Sequence, residues 1–147
     1  MTENQPDAGL LSLLPDRIRG VLVTLKRDGR PQISNVGYAY DADRGLIRIS
    51  ATDSRAKTRN LRRDPRASFH VTTENLGAFV VVEGTARITP VAADPQDATV
   101  EELIDLYREI RGEHPDWDEY RAAMVAEGRV VITIPVERVY GWSPESG

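Results

Sequence analysis

Apolar residues recur at two spacings along this chain, and the spacing changes from segment to segment. "LLSLLPDRIRG" places Leu10, Leu11, Leu14 and Ile18 on one helical face, but Pro15 interrupts it, so a short, broken N-terminal helix is expected. "GVLVTLKRDGRPQISNVGYAY" reads as strand, turn and strand with Asp28-Gly29 as the hairpin signal, and "DADRG" as a second turn. "LIRISA" alternates, with Ile47, Ile49 and Ala51 on one side and Leu46, Arg48 and Ser50 on the other. "RASFHV" sets Ala67, Phe69 and Val71 on one face. "AFVVVEGTARITPV" reads as one long strand bent or bulged at Gly84. "RVVITIPVERVYGW" reads as the last strand, with Val130, Ile132, Ile134 and Val136 together.

Helical spacing appears twice more. "DATVEELIDLYREIRG" carries an apolar stripe of Val100, Leu103, Ile104, Tyr107 and Ile110, closed by Gly112, and Thr99 with Glu102 suggests a capping box. The stripe is expected to serve as core or dimer surface. "DWDEYRAAMVAEG" predicts a helix capped by Asp116 and stopped at Gly128, with Trp117 as an apolar anchor between the helices. Many short antiparallel strands with few helices predict a closed or partly closed barrel, because closure removes exposed edges.

Composition narrows the chemistry. The 147 residues make one domain of ordinary size, with loose ends expected at about 1–8 and 143–147. A net charge of −4 argues against bulk attraction to nucleic acid or anionic membrane. The absence of cysteine excludes disulfides, thiolate catalysis and cysteine-ligated metals, and His70 and His114 alone do not suggest a metal site. No apolar run approaches a membrane span, and the polar start "MTENQPDAG" is unlike a signal peptide, so a cytoplasmic protein is expected.

Against that acidic background stands "TDSRAKTRNLRRDPRAS", which holds Arg55, Lys57, Arg59, Arg62, Arg63 and Arg66. If Ser54 caps a helix running from Arg55 to about Arg63, Arg55 and Lys57 fall in its first turn. That is the wrong end for cations, because a helix N-terminus already carries partial positive charge. A phosphate there would reverse the sign of the arrangement, accepting from free backbone N–H groups, from Ser54 or Ser50, and from both cations. A solvated basic face is the competing reading, and it is kept for Arg59, Arg62, Arg63 and Arg66, as surface residues or as partners of nearby acids such as Asp64.

The order "GVLVTLKRDGRPQISNVGYAYD…LIRISATDSRAKTRNLRRDPRASFHV…VEGTARI…VYGW" resembles the pyridoxamine 5′-phosphate oxidase-like, FMN-binding split-barrel superfamily. It is most similar to the actinobacterial branch that uses the deazaflavin coenzyme F420. The resemblance spans roughly residues 18–142, with "SRAKTRNLRRDPR" its most specific part. It implies a mainly β protein with flanking helices, a split β-barrel, and a homodimer with the cofactor at the subunit interface. It further implies that Arg55, Ala56, Lys57 and Asn60 hold the cofactor phosphate. Pro31, Gln32, Ser34, Asn35 and Val36 would line the ring and side chain, and Ser50 would touch the cofactor. Phe79, Tyr140 and Trp142 would add apolar walls, supplied in part by the other subunit.

FMN and F420 share a tricyclic ring, a ribityl-type chain and a phosphate, and F420 adds a lactyl-oligoglutamate tail. That tail would favour further cations, for which Lys26, Arg27 and Arg30 around the hairpin are candidates. Residue chemistry leaves the two cofactors open, while the resemblance favours F420 and an oxidoreductase, a reductase passing hydride to an electrophilic or conjugated small molecule. An FMN-dependent pyridoxamine 5′-phosphate oxidase-like enzyme and a non-catalytic F420 carrier are the alternatives. The chain ends at "GWSPESG", without the longer C-terminal extension of the vitamin-processing members. No spacing suggests a Ser–His–Asp set, and no catalytic residue is assigned; hydride chemistry belongs to the cofactor. His70 and His114 read as structural, and the acids of "GEHPDWDEY" as helix-cap and first-turn charges.

Overall fold

The structure, a computed structural model, describes residues 7–144. It begins with a single helical turn, α1 (Ala8–Leu11), capped by Asp7, whose carboxylate accepts from the N–H groups of Gly9 and Leu10. β1 (Arg19–Leu25) and β2 (Pro31–Gly37) form the hairpin expected at Asp28-Gly29, where Gly29 takes a positive φ of 88°. β3 (Ala39–Asp41), β4 (Leu46–Thr52), α2 (Ala56–Arg63) and β5 (Arg66–Thr72) follow. Then come β6 (Phe79–Thr85), β7 (Arg87–Ile88), α3 (Ala98–Arg111), α4 (Trp117–Glu127), β8 (Arg129–Pro135) and β9 (Arg138–Trp142).

The strands make two antiparallel sheets, one of five strands ordered β2-β1-β5-β6-β9 and one of four ordered β3-β4-β8-β7. The inner faces meet in one core of Leu22, Ile47, Ile49, Phe69, Val80, Val82, Ile132 and Ile134. Among the described residues, hydrogen bonding does not close the two sheets into one ring, and the architecture is a split β-barrel. Alternation explains which residues lie inside: β4 and β5 bury the apolar sets predicted from their period of two, and β8 buries Val130, Ile132 and Ile134, while Val136 falls beyond its end and is half-buried.

Two strand expectations are corrected. The run Ala78–Val91 is not one strand: β6 belongs to the five-stranded sheet and β7 to the four-stranded sheet. Gly84 sits at that corner, where a Cβ would lie 2.1 Å from the carbonyl oxygen of Pro135, so only glycine lets β6 pass β8 this closely. The last strand likewise splits into β8 and β9, one in each sheet.

α3 and α4 cover the outer face of the four-stranded sheet. Val100, Leu103, Ile104, Leu106, Tyr120 and Met124 bury Ala39 and Val131 beneath them. Arg48, 6% exposed, reaches out of β4 to Glu109 on α3 at 2.8 Å. The expected capping box at Thr99 and Glu102 is replaced by Asp97, whose side chain accepts from the Val100 N–H at 2.8 Å. Thr99 instead donates its hydroxyl to the Pro90 carbonyl. Asp116 and Gly128 cap α4 as expected, with Gly128 left-handed at φ 63°. His114 and Trp117 pack with Tyr107 and Tyr120 between the two helices.

Among the described residues, the outer face of the five-stranded sheet has no such cover. Ile33, Tyr140 and Trp142 stand 63%, 53% and 55% exposed there. The expected loose ends fall mostly outside the described residues; of the rest, Ala8 opens α1 and Ser143 is buried, so ordered structure reaches further than expected at both ends. No helix among the described residues is long and apolar enough to cross a membrane.

Candidate functional site

The basic segment forms α2, immediately after β4. Three of its residues point inward: Thr58, Asn60 and Leu61 are buried. The Thr58 hydroxyl donates to the Thr52 carbonyl at 2.9 Å, and the Asn60 amide donates to the Thr24 hydroxyl at 3.2 Å. These bonds and Leu61 pin the helix to the barrel and decide which side chains face solvent. Arg55, with extended backbone, holds the N-cap position and makes no side-chain capping bond, so the expected Ser54 cap is corrected. The first turn contains no acidic residue. Its backbone N–H groups therefore lack both an intrahelical partner and a side-chain cap.

Cations gather on both flanks of this uncapped start. On one flank stand Arg55, Lys57 and Arg129. Lys57 is half-buried, and burial, followed by repulsion from Arg55 and Arg129, pulls its pKa below the ordinary lysine value. Arg129 comes from the start of β8, opposite Thr52 in register, so it shares the outer sheet face with Ser50. Glu127 holds its Nε and Nη2 at 3.0 and 2.8 Å, while Nη1 lies 3.5 Å from the Ser50 hydroxyl. Sequence reasoning missed Arg129, because nothing in its own neighbourhood reveals the β4–β8 pairing that brings it to Ser50.

On the other flank, Arg27, Arg59 and Arg63 surround Ala56 and Asn60 in a cleft of about 400 Å³. Arg63 donates to the Leu25 carbonyl and to Asn60 Oδ1. Among the described residues, Arg27, Arg55, Lys57, Arg59 and Arg63 make no ion pair with a carboxylate. Arg62 and Arg66 differ, pairing with Asp53 and Asp64. Hydrogen bonds from Arg66 pull the Asp64 carboxyl down to about 2. Five unpaired cations around a helix start fit an anionic group.

The remaining candidates divide by face. Gln32, Ser34 and Val36 lie opposite Thr24, Leu22 and Gly20, half-buried on the inner side of β2, which runs past β4 and α2. Pro31 and Asn35 project to the other side with Ile33. Phe79 and Trp142 pair across β6 and β9, as do Val81 and Tyr140, on the outer face of the five-stranded sheet. Within one chain the barrel separates these three aromatics from Ser50 and Lys57. Asn60 lies beneath the cationic surface, its amide and carbonyl already engaged.

A further cavity, of about 270 Å³, opens from Ser50 and Arg129 into the space under α3 and α4.

Solved structures share this fold. One is an F420 reductase, 26% identical over 90% of this chain and 96% of that one, with a TM-score of 0.66. A conserved hypothetical protein from Mycobacterium tuberculosis is 24% identical over 99% of this chain and 87% of its own, with a TM-score of 0.72. A putative pyridoxamine 5′-phosphate oxidase from Listeria innocua is 21% identical over 89% and 93%, with a TM-score of 0.63. Residues 7–143, which carry the barrel, the cationic helix start and both covering helices, match the pyridoxamine 5′-phosphate oxidase family, and the chain belongs to that family.

Proposed function

We propose that the chain is an F420-dependent oxidoreductase, a reductase passing hydride from reduced F420 to an electrophilic or conjugated small organic molecule. One observation carries the choice of cofactor: unpaired cations flank both sides of the α2 start. Arg55, Lys57 and the free N–H groups suit a phosphate, which FMN and F420 both have. The cleft of Arg27, Arg59 and Arg63 suits carboxylates beyond that phosphate, which only F420 has. The likeness to an F420 reductase supports the same choice.

When bound, F420 supplies the hydride chemistry. The chain's part is to bind and orient. Lys57 and Arg55 neutralise the phosphate, and Ser50 and Arg129 hold its neighbourhood on the β4–β8 face. Gln32, Ser34 and Val36 line the groove along β2. The bare face of the five-stranded sheet supports a homodimer, in which Phe79, Tyr140 and Trp142 of one protomer, with Pro31 and Asn35, meet the other's cofactor groove. The cytoplasm is its expected compartment.

Titration with F420 and with FMN tests the reading. F420 should bind more tightly, and Arg27→Ala or Arg59→Ala should weaken F420 but not FMN; tighter FMN binding would sink the choice. Stopped-flow oxidation of bound reduced F420 against a panel of conjugated acceptors tests catalysis. Acceleration by none of them would favour a carrier.

A further inference from the structure

We propose that the cavity beneath α3 and α4 is a binding pocket for a small monocarboxylate with an apolar body about the size of one ring. At about 270 Å³ it exceeds the packing gaps of an ordinary core. An apolar cavity of about 150 Å³ already holds benzene. Its inner wall is apolar: Leu103, Tyr107 and Ile110 from α3, Tyr120 and Met124 from α4. The Tyr120 hydroxyl is spent on the Leu103 carbonyl at 3.1 Å, so Tyr120 offers the pocket its ring. Tyr107 stands with its ring 5.0 Å from that of Tyr120, giving an edge-to-face pair against which a flat apolar body would pack. Met124 is a side chain that adapts its shape to what it touches.

The rim is cationic. Arg111 lies there, exposed and without a carboxylate partner among the described residues. Arg129 lies there too, its Nε and Nη2 held by Glu127 and its Nη1 meeting, among the described residues, Ser50 at 3.5 Å. Two guanidinium groups over an apolar chamber select one carboxylate attached to a hydrophobic body. A dicarboxylate would place its second charge among leucine and methionine, which is costly. The pocket shares Ser50 and Arg129 with the cationic site beside it, so its occupant would lie next to the proposed cofactor. Only that adjacency rests on the proposed function; binding itself does not.

The test uses the whole chain without any cofactor, titrated with benzoate by calorimetry, so its outcome is separate from that of the F420 titration. Benzoate should bind at least about tenfold more tightly than acetate or benzyl alcohol, which lack the ring or the charge. Arg111→Gln, an exchange at an exposed position that does not threaten folding, should cost about tenfold. Met124→Phe, checked for an unchanged circular dichroism spectrum, should cost at least as much by filling the chamber. Benzoate binding no tighter than acetate, or indifferent to both variants, would overturn the proposal.

Discussion

The side-chain amide of Asn60 donates to the hydroxyl of Thr24 at 3.2 Å, joining α2 to the C-terminal end of β1 inside the barrel. The helix that carries the cationic site is thus positioned by a buried bond from a residue that lies at the floor of the Arg27, Arg59 and Arg63 cleft. Asn60→Ala should lower stability by about 1–3 kcal/mol, the cost of stranding a buried polar partner. Urea unfolding measures this. Thr24→Val in the same background should recover part of the loss, and a fold as stable as wild type would show that Asn60 does not hold α2.

Lys57→Ala should behave in the reverse way. It removes a half-buried cation repelled by its neighbours, so stability should hold or rise slightly. Affinity for F420 should fall by about 1.5–3 kcal/mol, the range for a charge-assisted hydrogen bond. Equilibrium titration beside a melting curve separates the two effects.

The depressed pKa of Lys57 gives a pH signature. Burial first, then Arg55 and Arg129, make the empty protein surrender this proton more readily than the unfolded chain does. Stability therefore gains from this group as pH rises through the interval between the folded and the ordinary lysine values. Cofactor binding runs the other way, because a phosphate needs the ammonium. Affinity should stay level below the folded pKa and decline above it, and Lys57→Arg should stay level to higher pH. Dissociation constants from about pH 7 to about pH 10 would reveal the difference.

Tyr140→Asp with Trp142→Asp should yield a monomer that keeps its fold, since both side chains are more than half exposed in the single chain. Light scattering after gel filtration reads the mass. An unchanged oligomeric state would place any dimer contact elsewhere.

Gly84→Ala should cost about 3 kcal/mol, the upper end for overpacking, because its Cβ meets the Pro135 backbone rather than a movable side chain. Thermal melting checks it.

Much of this fold was legible in the sequence because burial enforces a period of two. Ile47, Ile49 and Ala51 or Ala67, Phe69 and Val71 could hardly face any other way. Sheet membership was not legible, because a chain that turns a corner at Gly84 keeps its alternation on both sides. The α3 cap was misread because Thr99 and Glu102 have the right chemistry, while Asp97 two residues earlier has the right backbone position. In the site, unopposed charge marked Arg55 and Lys57. Asn60 carried no such mark, and its place between Thr24 and Arg63 depends on how α2 rolls against β1. Arg129 was hidden for a topological reason, being brought to Ser50 by strand pairing alone.

That pairing has a consequence for biosynthesis. Ser50 and Arg129 are 79 positions apart, so β8 leaves the ribosome well after β4. Chains emerge N-terminal end first, so the four-stranded sheet stays without its second long strand until β8 has followed. The nascent protein would then be unable to recruit its cofactor early or use it as a template for folding. Loading would follow the emergence of β8, and a stalled chain ending before Arg129 should fail to retain F420 in a pull-down that captures the longer chain.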